Sequence, residues 1–114
     1  MDKRQFFFSE YALREIRSIN LWYEEKALGL GEKFQNELFN TIEKICLNPD
    51  SFARISRRNK IRRCVMDTYP YKIYFNATND PMEIIAVIHT SRSNTYIKAT
   101  FEIIYNFRII SYFA

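Results

Sequence analysis

Glycine occurs only twice in this chain, at Gly29 and Gly31, and proline three times, at Pro49, Pro70 and Pro81. Linkers and disordered stretches lean on those residues, so their scarcity among 114 residues argues for one folded domain. Cysteine is scarce as well. Cys46 and Cys64 lack metal-ligand spacing, fall in an expected helix and an expected strand, and read as buried reduced thiols. No residue pattern implies a metal or a cofactor. No apolar run reaches the ~18 residues of a membrane span, and no charged leader followed by an apolar stretch opens the chain. The expectation is a cytoplasmic protein with no membrane association. Histidine occurs once, as His89. Acidic residues are missing from one stretch: none lies between Ser51 and Met66, where Arg54, Arg57, Arg58, Lys60, Arg62 and Arg63 all fall.

What is present is enough to fold. Hydrophobic residues make up 47% of the chain and aromatics 17%, and a chain of this size buries roughly two thirds of its unfolded surface. The net charge of +4 is unevenly spread: residues 1–50 carry nine acids and seven bases, residues 51–114 four acids and ten bases. The acid-free stretch repels itself unless it is solvated or meets an anionic partner, either nucleic acid or an acidic protein segment. A solvated basic loop is an equal alternative. Arg57, Arg58, Lys60 and Arg62 form the expected basic binding surface.

Periodicity supplies the elements. Arg4 to Phe8 reads as a first strand. Ser9 can cap a helix whose residues Ala12, Ile16, Ile19 and Tyr23 share one face, with Glu15, Arg17, Glu24 and Glu25 largely off it. Gly29 should stop it. A second helix, starting after Gly31, carries the stripe Leu30, Phe34, Leu38, Ile42 and Ile45 and ends at Asn48–Pro49. The short connection makes the pair an antiparallel hairpin. Then come a basic loop from Asp50 to Asn59, a strand from Ile61 to Met66, a strand from Tyr71 to Asn76 and an almost wholly apolar strand ending at His89. This order predicts a two-layer α+β fold: an N-terminal strand and a helical hairpin on one face of a small antiparallel sheet. The other face is expected to stay partly open, with Lys72 and neighbouring arginines on it.

The ordered set Ala12-Leu13-Arg14-Glu15-Ile16, Tyr23-Glu24, Gly29 to Phe34, Ile45 to Pro49, Ile61-Arg62-Arg63, Tyr69 to Phe75, Ile84 to His89, Arg92 and Tyr96 resembles the RelE/ParE superfamily of type II toxin–antitoxin toxins, often labelled plasmid stabilisation proteins. The likeness runs from about residue 4 to residue 98. It implies a small growth-inhibiting toxin, made with a cognate antitoxin whose acidic segment wraps and neutralises it. Members either poison DNA gyrase or cleave mRNA on the ribosome. Tyr69-Pro70-Tyr71 before its strand, and His89 followed by Arg92, look closer to the ParE branch. Against the RelE-type pattern, Lys72 matches an Arg position, Tyr96 the C-terminal Tyr and Arg92 a nearby Arg, while Thr90 stands where a further catalytic Arg is expected.

Three readings of function follow. The first is a ParE-like toxin that binds and inhibits gyrase without chemistry of its own. The second is a ribosome-dependent mRNA endonuclease, with His89, Arg92, Lys72, Arg63 and Tyr96 as its site. There His89 is the candidate acid or base, and the cations stabilise the phosphorane. The third is an inactive relative kept as an antitoxin-binding partner. For His89 itself, a histidine bonded to a turn is the preferred reading. Arg62 and Arg63 alternate across their strand, so one of them should be an inner, structural ion-pair member, with Glu15 or Glu83 as candidate carboxylates. Residues 1–98 form the toxin domain. Residues 99–114 read as an extension, an extra strand on the alternation of Phe101, Ile103, Tyr105, Phe107 and Ile109, which would have to pair with a sheet edge here or in a second copy.

Overall fold

The computed structural model describes residues 3–57 and 60–113, with the side chains of the last helix described through residue 104. The first strand, β1 (Phe6–Phe8), is followed at once by helix α1 (Glu10–Lys26). Ser9 joins them as the cap, its Oγ accepting the Ala12 N–H at 3.0 Å. Ala27 closes α1, and Gly29 turns the chain with φ +89°, a conformation that glycine adopts without steric cost. The Glu24 carboxylate accepts the Gly29 N–H there. Helix α2 (Leu30–Leu47) begins at once rather than after Gly31, and its last turn gives way to a short 3-10 turn at Pro49–Ser51. Gly31 marks the closest approach of the two helices: a Cβ there would lie 2.8 Å from the Asn20 carbonyl oxygen.

The remaining strands are β2 (Ile61–Val65), β3 (Tyr71–Asn76) and β4 (Met82–His89). The sheet order is β1-β4-β3-β2. Strands β2, β3 and β4 run antiparallel in sequence, as expected, while β1 pairs with β4 in parallel, which makes the sheet mixed. Strand β4 is thus central, and seven of its eight residues are buried, matching its apolar sequence. Between β3 and β4, Tyr74 sits opposite Ala86 and Phe75 opposite Ile84. Ile85 is the extra residue of this bulge, and Ile85 and Ala86 both reach the same side of the sheet.

The helical hairpin lies on one face, as the stripes predict. Ala12, Ile16, Phe34, Leu38, Ile42 and Ile45 pack there on Ile73, Phe75, Ile84 and Val87. The opposite face corrects two expectations. It is not left open, and the tail is not a strand. Residues Asn94–Phe113 form a third helix, α3, which runs through residue 98 without a break. Ile97, Phe101 and Ile104, each 7–8% exposed, pack on Ile61, Tyr74, Ile85, Ala86 and Ile88. Burying each such side chain contributes about 2 kcal/mol. The alternation of apolar residues after Thr100 is compatible with a strand. However, the 97, 101, 104 spacing is helical, and the apolar sheet face it packs against decides between the two periods.

Candidate functional site

Strand β1 is only three residues long, and that shortness opens the site. It pairs with Met82, Glu83 and Ile84, and then the chain leaves to start α1. Beyond Ile84, that edge of β4 is met by side chains of α1 instead of a strand. Ser9 Oγ donates to the Ile85 carbonyl at 2.7 Å, and Glu15 Oε1 accepts the Val87 N–H at 2.9 Å. A groove of about 740 Å³ opens at the far end of β4, between α1 and the first turns of α3. Tyr11, Arg14 and Glu15 line it from α1, His89 from the strand end, and Arg92 and Tyr96 from the segment that follows.

Burial governs the groove's protonation. It pushes the Glu15 carboxyl from its ordinary 4.5 up to about 7, against the opposing pull of the Val87 N–H and the Tyr11 hydroxyl, which both bond the carboxylate. Burial, then the charge of Glu15, drives the Tyr11 hydroxyl up to about 12. Tyr11 also makes hydrogen-bonding contacts with Thr100 and Tyr96, and so ties α1 to α3. At the rim, the Arg92 guanidinium lies over the Tyr96 ring, 4.5 Å from its centre.

His89 is the turn-bonded histidine of the preferred reading. Its Nδ1 accepts the Ser91 N–H at 3.1 Å and lies 2.8 Å from Ser91 Oγ, while its ring meets Tyr71 edge-on at 5.3 Å. An Nδ1 that accepts from a backbone amide assigns the proton of the neutral ring to Nε2. The neutral imidazole therefore keeps a donor at Nε2 and no free lone pair with which to accept a proton.

The expected site residues fall into two groups. His89, Arg92 and Tyr96 come together in the groove. Lys72 and Arg63 do not join them. Lys72 pairs with Ile88 and Val65, and Arg63 with Tyr74, on the face covered by α3, whereas His89 pairs with Tyr71 on the hairpin face. Of the basic surface, Arg57 and Lys60 are exposed and Arg58 lies outside the described residues. Arg62 is the inner arginine. Its side chain is 22% exposed, donates to the Phe52 carbonyl at 2.6 Å and pairs with Asp50 at 3.7 Å. The carboxylate partner is Asp50 and not the expected Glu15 or Glu83. Glu15 and Tyr11 went unread as site residues, although they stand four apart on the margin of the α1 stripe and so share a face. Among the described residues no group of three or more His, Cys, Asp or Glu could hold a metal ion, and no helix is long and apolar enough to cross a membrane.

A short β1 parallel to the central strand, a helical hairpin and an antiparallel three-strand run ending in a histidine make a small α+β frame. Residues 6–94 match the family described as ParE toxin of type II toxin–antitoxin system, parDE. The chain belongs to that family and is a type II toxin. A solved structure described as the chromosomal ParDE TA system from P. aeruginosa superposes with a TM-score of 0.67 at 11% identity, covering 78% of this chain and 98% of that one. At that identity the likeness is one of fold. No curated protein matches the chain. The family match ends at residue 94, where α3 begins.

Proposed function

We propose that this toxin acts in the cytoplasm by binding and inhibiting DNA gyrase, without chemistry of its own, and that a cognate antitoxin with an acidic segment neutralises it. The observation that carries the reading is the state of the groove. Cleavage through a 2′-hydroxyl needs a base with an available lone pair and cations gathered round the phosphorane. Here Nδ1 of His89 is occupied by the Ser91 amide, and Lys72 and Arg63 lie on the opposite face of the sheet. What the groove offers instead is a binding surface: the Arg92–Tyr96 stack, Arg14 and the His89 imidazole.

The test is expression without antitoxin, alongside a supercoiling assay with purified gyrase. The expected result is loss of supercoiling, an SOS response and filamentous cells, with transcripts intact. Arg92→Ala should weaken inhibition at least tenfold without changing the melting temperature, because Arg92 is exposed and its one described side-chain contact is the Tyr96 ring. Cleaved transcripts with arrested translation would establish the endonuclease instead. Normal growth would make the chain an inactive, antitoxin-binding relative.

A further inference from the structure

Part of the acid-free basic stretch is tied to the sheet. Residues 53–55 run back along β2: the Ile55 N–H donates to the Ile61 carbonyl at 2.9 Å, the Arg63 N–H to the Ala53 carbonyl at 3.1 Å, and Arg54 and Arg62 form a bridge. Residues 53–55 thus form a short antiparallel arm on the outer edge of β2. Arg54 braces its tip by donating to the Arg57 carbonyl at 2.9 Å. Arg57 and Lys60 are both exposed. Beside the arm, on the α3 side of the sheet, Arg63 is exposed and hydrogen-bonded to the Tyr74 hydroxyl. Half-buried Lys72 stands on the adjoining strand, diagonal to it.

The nearest acids do not neutralise these cations. Asp50 is paired with Arg62 and Asp67 with Lys44. Among the described residues, no ion pair involves Arg57, Lys60, Arg63 or Lys72. The sheet order places this edge opposite β1, across the sheet from the groove at β4.

From this we infer that the arm and edge of β2 form a second binding surface, for the phosphate backbone of duplex DNA. Four like charges on one edge, with no ion pair among the described residues, suit a polyanion. The exposed described side chains of the arm offer no aromatic ring for bases to stack on: Phe52 before it packs into the core, and Tyr74 beside Arg63 is 1% exposed. Single-strand recognition relies on such platforms. An acidic peptide would need an apolar anchor to gain specificity, and the exposed described side chains between Arg54 and Lys60, which are Arg54, Ser56, Arg57 and Lys60, are all polar. Regularly spaced phosphates need neither.

The experiment is an anisotropy titration of a labelled mixed-sequence duplex of about 25 base pairs with the full chain, at about 50 and about 200 mM salt. Four phosphate contacts predict a log–log salt slope near −3.6 and roughly a 100-fold loss of affinity across that range. The double variant Arg57→Ala/Lys60→Ala should roughly halve the slope. Arg17→Ala/Lys33→Ala removes the same charge from exposed positions on α1 and α2 and should leave the slope unchanged. Equal effects of the two pairs would reduce the binding to net charge and overturn the assignment, as would no binding at the lower salt. Poly-glutamate displacing the duplex at equal charge concentration would make an acidic protein segment the occupant and overturn it too. The inference does not rest on the gyrase reading, since its residues lie outside the groove and its assay contains no gyrase.

Discussion

At the scale of single residues, Glu15 shows how far one position depends on its surroundings. In sequence it is a polar residue at the margin of an amphipathic helix. In the fold it replaces the strand that β1 is too short to supply, accepting the Val87 N–H. Its carboxyl rises from 4.5 to about 7, so between those values the folded chain holds a proton that the unfolded chain has lost. The stabilising contribution is whole below about pH 4.5 and is lost as pH rises through about 7, a difference on the order of 3 kcal/mol. Glu15→Gln keeps an acceptor for Val87 and removes the charge. It should raise the melting temperature by several degrees at about pH 8 and leave it unchanged at about pH 4.5. Melting curves showing the same shift at both would exclude the mechanism. The two glycines separate strain from space. Gly31→Ala would put a methyl 2.8 Å from the Asn20 carbonyl and force the helices apart, at about 1–3 kcal/mol. Gly29→Ala meets no atom within 4 Å and bears only the strain of its φ of +89°, about 1–2 kcal/mol. Denaturant titrations of the two variants should rank them in that order.

Among the elements, α3 is where sequence and structure part. The hairpin helices were readable because each carries a long stripe of one period between clear stops: Ser9 and Gly29 for α1, Asn48–Pro49 for α2. Strands β2 to β4 were readable from β-branched and aromatic runs between turn residues. Residues 99–109 satisfy two periods at once, and local preference does not choose between them. The choice has a direct test. In a strand Phe101 and Ile103 would share a face; in α3 Phe101 is 7% exposed and Ile103 65%. Phe101→Ala should cost about 3–4 kcal/mol and Ile103→Ala less than about 0.5 kcal/mol by chemical denaturation. Equal losses would restore the strand.

Over the whole molecule, the sheet order β1-β4-β3-β2 sets two surfaces on opposite edges. One is the groove at the end of β4, with a protonatable carboxyl at its base. The other is the basic arm on β2. An antitoxin with an acidic segment that docks at the groove, beside Arg14 and Arg92, should bind more weakly as salt rises, by roughly tenfold or more between about 50 and about 200 mM. Calorimetry giving one affinity across that range would show that charge does not drive the complex. The sequence by itself determined the α+β class, the hairpin, the order of the later strands and the family, because these follow from local period, turn chemistry and motif spacing. Only the tertiary structure decided that α3 closes the second face, that Lys72 and Arg63 are parted from His89, that Arg62 turns inward to Asp50, and that Glu15 belongs to the site. Each of these depends on which face of the sheet a residue takes and what packs against it, and those are set by pairings between residues far apart in the chain.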